Sequence, residues 1–129
     1  MGNSAALEPA RSPQDLERFL VSRAWAGDVE GMVALYERDA VIDCGGGRVL
    51  RGREAIRAYF TSAVAESRKF QAGVQQPAMI SGELALTSTR LPDGTVTAEV
   101  ARRQSDGRWL WVVDRFCVGK IADGPVRGA

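Results

Sequence analysis

The hydrophobic pattern of this chain changes its period at about residue 67. Before that point apolar residues recur three and four positions apart, as they do on the buried face of a helix. After it they alternate with polar residues, as they do in half-buried strands. Helices first and strands last predict an α+β domain, with the helices gathered on one face of a curved antiparallel sheet.

The first two helices have clear boundary signals. Ser12 can cap the free amide groups of a helix that has Pro13 in its first position. Gly27 ends this helix and Asp28 caps the next one, whose apolar residues keep helical spacing as far as Tyr36. We therefore predict two helices that meet at a tight turn.

A strand, a loop and a third helix follow. The apolar run Ala40–Asp43 predicts a short strand, which gives way to the glycine loop Gly45–Gly47. A partner strand is predicted around Val49–Leu50, and the third helix begins near Arg53. Acidic Asp43 thus stands at a strand end, where it either caps the loop or faces a cavity.

The second half of the chain predicts a meander of three strands. Alternating segments lie around residues 84–88, 96–100 and 110–118, and Asp93-Gly94 and Asp106-Gly107 separate them. Asp-Gly between alternating segments is a strong hairpin signal. A bent sheet packed on helices leaves a hollow, and such hollows are default ligand sites.

The length of 129 residues fits one domain. We predict that it spans residues 12–121, between flexible tails at residues 1–11 and 122–129. The N-terminal residues have no apolar core of a secretory signal, and no window approaches the ~18 apolar residues of a membrane span. The prediction is a cytoplasmic protein without membrane association.

The charge balance argues against nucleic acid as a partner. The chain has 17 Lys plus Arg and 16 Asp plus Glu, a net charge of +1, and its arginines are scattered. It has no histidine and only two cysteines, so the common zinc sites and a Cys-His pair are excluded. We predict no metal and no cofactor. Proton transfer must then depend on Asp, Glu, Tyr, Cys or Lys.

Two further acids stand in apolar strands. Asp114 lies within the run 110–118, and Glu99 lies between two apolar residues on the preceding strand. Burying a carboxylate costs several kcal/mol unless it is paired, hydrogen-bonded or protonated. An ion pair of Asp114 with Arg102 or Arg115 is the structural alternative. If both acids face one hollow, their pKa values rise and separate, which provides a proton acceptor and a proton donor.

The chain resembles the nuclear transport factor 2-like superfamily over about residues 14 to 120. The resemblance is carried by the order and spacing of these motifs: Ala26-Gly27-Asp28, Met32, Leu35-Tyr36, Asp39-Ala40, the run Arg51 to Ile56, Phe60, Asp106-Gly107-Arg108-Trp109 and a last strand with Asp114. The most similar branch is that of the polyketide cyclases (SnoaL-like) and ketosteroid isomerase-like proteins. It implies a cone-shaped, strongly curved antiparallel or mixed sheet on three N-terminal helices, with a pocket inside.

The resemblance also implies positions for the site. The first-strand base of the isomerases falls on Asp43 or Cys44, and the acid of their oxyanion hole falls on Glu99. The tyrosine of that oxyanion hole falls near Leu20, beside Phe19, and neither has a hydroxyl, so steroid isomerisation itself is not expected. The predicted substrate-binding walls are Tyr36, Phe60, Val112, Phe116, Cys44 and Phe19.

These inferences predict a pocket protein for a small hydrophobic molecule. The predicted activity is that of an isomerase, cyclase, lyase or epoxide hydrolase acting on a carbonyl or epoxide compound. Asp43 or Asp114 would be the base and Glu99 the proton donor, which requires that all three converge in one cavity. The alternative is a non-catalytic binding or assembly module. A homodimer is expected through the outer face of the sheet, where Trp111, Val113 and Arg115 are predicted to lie.

Overall fold

In a computed structural model that describes residues 7–67 and 70–121, three helices precede most of an eight-stranded sheet. The elements, in chain order, are α1 (Pro13–Trp25), α2 (Val29–Val33), β1 (Tyr36–Gly45), β2 (Arg48–Arg51), α3 (Gly52–Ala65), β3 (Val74–Gln75), β4 (Met79–Ser81), β5 (Leu84–Thr87), β6 (Thr89–Arg90), β7 (Thr95–Arg103) and β8 (Trp109–Lys120). The predicted α+β class and the three helices are confirmed.

The sheet is mixed and its long strands lie at its centre. Its order is β2-β1-β8-β7-β5-β4, and β6 pairs with both β7 and β3. Only the β1–β8 pair is parallel among the described strands, whereas the predicted meander β5-β7-β8 is antiparallel. The sheet curves around α1 and α3, as predicted, and one of its faces is covered by the helices.

The boundary signals of the helices act as their residue types predict. Ser12 and Asp15 form a capping box at the start of α1. Gly27 has a φ of +71°, which ends α1, and the Asp28 carboxylate accepts the amide of Gly31 at 2.9 Å. These local contacts fix the turn between α1 and α2.

The prediction that the second helix reaches Tyr36 is wrong. The helix α2 ends at Val33, and Tyr36 begins β1, where its ring packs against Trp111 and Phe60 with centroids 5.1 and 5.9 Å away. Pairing with β8 therefore overrides the helical spacing. The strand β1 is ten residues long instead of the predicted four.

A bulge in β8 changes which residues point inward. Trp111 pairs with Ala101 and Val113 pairs with Val100, so Val112 has no partner in the β7 register. Trp111 is consequently on the same inner face as Asp114, and it is buried. The prediction that Trp111 lies on the outer face is wrong, whereas half-exposed Val113 and exposed Arg115 do lie there.

Part of the predicted N-terminal tail is packed. The carbonyl of buried Ala10 accepts the amide of Trp109 at 2.9 Å, and the carbonyl of Glu8 accepts the Arg23 guanidinium at 2.7 Å. Residues 1–6 of that tail and the whole predicted tail 122–129 lie outside the described residues. Within the described ranges no helix is both long and apolar enough to cross a bilayer.

Candidate functional site

A row of four residues crosses the inner face of the sheet. Ile42 on β1 pairs with Asp114 on β8, Asp114 pairs with Glu99 on β7, and Glu99 pairs with Thr87 on β5. All four are buried, and each acid is only 3% exposed. The sheet register therefore places the two carboxyl groups side by side beneath α1.

These two acids form the floor of a cavity of about 170 Å³, which we call the acid pocket. Glu17 of α1 provides a third carboxyl group on its opposite wall. The rest of the lining is mostly apolar and consists of Leu20, Val21, Phe70, Gln71, Leu91, Thr97 and Phe116. Three acids thus share one small space with two aromatic rings.

Asp114 is held by the hydroxyl of Tyr36. That hydroxyl donates to Asp114 Oδ2 at 2.6 Å, and both side chains are buried. Burial raises the pKa of Asp114 well above its usual range, and the neighbouring Glu99 adds to this by repulsion, while the Tyr36 hydrogen bond opposes it. The neutral form of Asp114 is therefore favoured, and in that form its other oxygen can donate a proton.

Glu99 accepts hydrogen bonds from threonine hydroxyls. Thr87 Oγ1 donates to Glu99 Oε1 at 2.6 Å, and the Thr97 hydroxyl also bonds to this carboxyl group. Burial raises the pKa of Glu99, but both hydroxyls favour its ionised form. Glu99 is thus better prepared than Asp114 to accept a proton.

Glu17 is the site residue that the sequence reasoning missed. Burial, with repulsion from Glu99, raises the pKa of Glu17 from 4.5 to about 7. This side chain therefore exchanges its proton near neutrality. The signal in the sequence was its spacing, since Glu17 lies three and four positions before Leu20 and Val21 on the edge of the apolar stripe of α1.

Asp43 does not join the other acids, so the predicted site of Asp43, Glu99 and Asp114 is not formed. Its register partners Val49 and Arg115 place it on the outer face, where Arg115 Nε donates to Asp43 Oδ2 at 2.9 Å. Strand alternation explains this, because Ile42 points inward and its neighbour must point outward. Cys44 packs against the edge of the core, and its thiol donates to the Arg48 carbonyl at 3.4 Å, away from the acid pocket.

The predicted walls are divided between the pocket and the core. Phe116 lines the acid pocket. Phe60 and Phe19 are buried in the core, and Tyr36 lies behind Asp114 instead of at the cavity surface. Val112, the bulged residue of β8, does not line the acid pocket either. Its role as a substrate contact, like that of the core residues, remains a prediction.

In the part of the chain that the structure describes, the acids of the pocket are surrounded by hydroxyls and apolar side chains. No arginine or lysine lines it among the described residues, and only hydroxyls reach its acids. In the same ranges, no group of three His, Cys, Asp or Glu side chains has a geometry that could hold a metal ion. A neutral acid beside an ionised carboxylate can donate one proton and accept another without moving far.

A larger depression of about 450 Å³ lies on the outer face of the sheet. Half-exposed apolar residues line it, including Val49, Val113 and Val118, together with the Asp43–Arg115 ion pair. Glu99 and Asp114, which form the floor of the acid pocket, also belong to the lining of this depression. Apolar patches of this kind mark contact surfaces more often than active sites.

The SnoaL-like domain family matches residues 16–124, which include every residue of the acid pocket. The chain belongs to the SnoaL-like family. A comparison with curated protein sequences found no match. This match supports the predicted membership of the nuclear transport factor 2-like superfamily.

Solved structures share this SnoaL-like fold. A protein of unknown function with a cystatin-like fold from Nostoc punctiforme has a TM-score of 0.65 at 20% identity, over 78% of this chain and 71% of that one. A ketosteroid isomerase-like protein from Erwinia carotovora atroseptica has a TM-score of 0.62 at 15% identity, over 79% and 89%. An NTF2-like protein from Novosphingobium aromaticivorans has a TM-score of 0.56 at 21% identity, over 78% and 75%. At these identities the likeness concerns the fold.

Proposed function

We propose that this SnoaL-like protein is an acid–base enzyme that acts on a small, uncharged, hydrophobic carbonyl or epoxide compound in the acid pocket. The observation that carries the proposal is the direct pairing of Glu99 with Asp114 on the floor of an apolar cavity, with Glu17 opposite. Among the residues that the structure describes, no cation lines the pocket, so an anionic substrate would meet only carboxyl groups and uncharged side chains from them.

For a carbonyl substrate, the chemistry is a proton transfer between two carbons. The Glu99 carboxylate takes a proton from the carbon next to the carbonyl, while the neutral Asp114 carboxyl group hydrogen-bonds to the carbonyl oxygen, where negative charge develops. In a ketone with a neighbouring C=C bond, the electron pair of the broken C–H bond forms the enolate, and Glu99 returns the proton to the far carbon of that C=C bond, which moves next to the carbonyl group. The bonds broken and formed balance, and the net result is isomerisation.

For an epoxide, the same two groups suit ring opening. The neutral carboxyl group of Asp114 gives a proton to the epoxide oxygen as the C–O bond breaks, and Glu99 takes a proton from the attacking water. Glu17, with a pKa of about 7, can return protons to the pair from the solvent side. Because both reactions need one acid and one base, the acid pocket suits either of them.

The volume of the acid pocket supports a small substrate. Apolar cavities of about 150 Å³ bind benzene, so a pocket of about 170 Å³ takes a group the size of one ring. The ketosteroid isomerase-like protein from Erwinia has a similar fold, which agrees with this class of chemistry but does not specify the substrate.

The test is hydrogen exchange at carbon. Small cyclic ketones are incubated with the protein in D₂O, and deuterium uptake next to the carbonyl is followed by NMR, while a matched panel of epoxides is assayed for diol formation. We expect turnover by the wild type and losses of about 10²–10⁴-fold in Glu99→Gln and Asp114→Asn. Asp43→Asn is the control, because Asp43 lies outside the pocket.

Two outcomes would count against catalysis. If no compound reacts faster than in buffer, or if Glu99→Gln reacts as fast as the wild type, the acid–base proposal is wrong. Ligand binding that stabilises the protein without any exchange would instead support the second candidate function, a non-catalytic binding module. That alternative also has a structural basis, because Glu99 and Asp114 already have hydrogen-bond partners within the protein.

A further inference from the structure

A second cavity of about 310 Å³ adjoins the acid pocket along α1. We call it the outer cleft. The two cavities share two lining residues, Glu17 and Val21, which stand between them. The other walls of the outer cleft are Arg18 and Ser22 of α1 and Ala72, Gly73 and Gln75 of the segment across from it. One helix, α1, therefore lines both cavities.

The segment that forms the far wall is fixed at both ends. Trp25 Nε1 donates to the Phe70 carbonyl at 2.7 Å, and Gln75 Nε2 donates to the Gln14 carbonyl at 3.0 Å. Between these bonds, Gly73 packs so tightly against β6 that a Cβ there would lie 2.4 Å from the Arg90 carbonyl oxygen. The two hydrogen bonds therefore tie the ends of the segment to α1, and the close packing of Gly73 holds its middle against β6.

The two compartments differ in polarity. The acid pocket holds three carboxyl groups and no cation among the described residues. In the part of the chain that the structure describes, the outer cleft is lined by Val21, Ala72 and Gly73, by the polar side chains of Glu17, Ser22 and Gln75, and by Arg18, which is bound to Asp15 at 2.6 Å. Most of its surface is apolar, while the acid–base pair of Glu99 and Asp114 lies in the inner compartment.

We infer that the acid pocket and the outer cleft form one elongated binding site, and that the substrate is an uncharged ketone or epoxide with an extended aliphatic chain. The ring-sized reactive end fills the acid pocket, and the chain passes Glu17 and Val21 into the outer cleft. This inference rests on the proposed function of the acid pocket. It adds an aliphatic chain to the proposed substrate, which the acid pocket alone does not indicate, because its volume of about 170 Å³ accommodates only the reactive end.

The test uses alkyl phenyl ketones of increasing chain length as probes, from acetophenone to hexanophenone, with Kd measured by calorimetry. Each buried methylene group strengthens binding by about fourfold, so hexanophenone should bind at least tenfold more tightly than acetophenone. In Ala72→Trp, which fills the outer cleft, the ratio of the two Kd values should fall to about one. Ser22→Trp fills the same cleft from α1 and provides a second variant if the first fails to fold. Ala58→Trp is the control, because exposed Ala58 on α3 lines neither cavity.

The outcomes separate this inference from the proposed function. If acetophenone binds but chain length has no effect in the wild type, or if both tryptophan variants keep the wild-type ratio, the elongated site is wrong and the acid pocket stands. If Glu99→Gln loses exchange activity but keeps the chain-length dependence, both are supported. If no ketone of the series binds, the elongated site is wrong, and the carbon-exchange assay then decides the proposed function by itself.

Discussion

The hydroxyl of Tyr36 and the carboxyl group of Asp114, 78 positions apart in the chain, meet in the core at 2.6 Å. Tyr36 lies at the start of β1, and the guanidinium of Arg53 holds its backbone carbonyl at 2.8 Å. The hydroxyl therefore approaches Asp114 from behind the acid pocket. We interpret Tyr36 as a positioning residue that fixes the orientation of the acid, instead of the substrate contact that its sequence position predicts.

Removing this hydroxyl should destabilise the protein and change the acidity of Asp114. In Tyr36→Phe a buried carboxyl oxygen loses its partner, which costs about 1–3 kcal/mol of unfolding free energy. The pKa of Asp114 should rise further, because the hydrogen bond lowers it. Denaturant unfolding of Tyr36→Phe, Asp114→Asn and the double variant gives the coupling energy between the two side chains. A coupling energy near zero would show that the contact contributes nothing.

Glu17 should make the stability depend on pH. Its pKa is raised in the folded state from 4.5 to about 7, so the folded protein keeps a proton that the unfolded chain releases. Its contribution to stability is therefore complete below about pH 4.5 and is lost as the pH rises to about 7. Because Glu17 is only partly buried, we expect this loss to be about 2 kcal/mol, from 1.4 kcal/mol per pH unit.

The measurement is the unfolding free energy of Glu17→Gln and the wild type at pH 4.5 and pH 8. The variant should lose about 2 kcal/mol less than the wild type over this range. Glu54→Gln is the matched control, because Glu54 is exposed on α3. Identical pH dependence in Glu17→Gln and the wild type would contradict the position of Glu17 in the acid pocket.

Asp43 should be dispensable for the pocket. Its ion pair with Arg115 is on the outer face, with side chains 31% and 59% exposed, and such pairs contribute about 0–1 kcal/mol. Asp43→Asn should therefore unfold within about 1 kcal/mol of the wild type and should keep its carbon-exchange rate. If Asp43→Asn lost as much carbon-exchange activity as Glu99→Gln, Asp43 would have to be part of the active site.

The outer face should hold two copies of the chain together. Val49, Leu86, Val113 and Val118 are 45–53% exposed around the 450 Å³ depression, and clustered apolar side chains of this kind mark interaction surfaces. We expect a homodimer through this face in analytical ultracentrifugation, and Val113→Arg should convert it to a monomer. Val74→Arg is the control, since Val74 is 68% exposed on β3, outside the depression. A dimer that persists in Val113→Arg, or a monomeric wild type, would refute this interface.

Local signals made the fold predictable. Ser12 and Asp28 cap helices, and Gly94 and Gly107 turn with φ values of +90°, as their sequence contexts indicate. Each of these features depends on a few neighbouring residues. The length of α2 was not predictable in this way, because Tyr36 follows the helical pattern and is drawn into β1 only by its distant partner Trp111.

The site was only partly predictable because it depends on long-range register. Asp114 and Glu99 stood out as acids within apolar strands, and the structure places both in one cavity. Asp43 was a candidate because it lies beside a glycine loop. A difference of one residue in register decides which face of a strand a side chain occupies, and Asp43 lies on the outer face with Arg115. Glu17 lies at the edge of the apolar face of α1. It lines the acid pocket because the curved sheet brings Leu91 and Phe116 to the same cavity, and the sequence of α1 does not predict that curvature.

The bulge at Val112 has a consequence for how such a pocket could change during evolution or design. Trp111 and Asp114 are three positions apart, yet both point inward, because Val112 is an extra residue in β8. Deleting Val112 would leave Trp111 and Asp114 two positions apart, so simple alternation would by itself keep both side chains on the inner face. The extra valine is therefore what lets an odd spacing present both residues to the core, and β8 could lose its bulge without turning either of them outward.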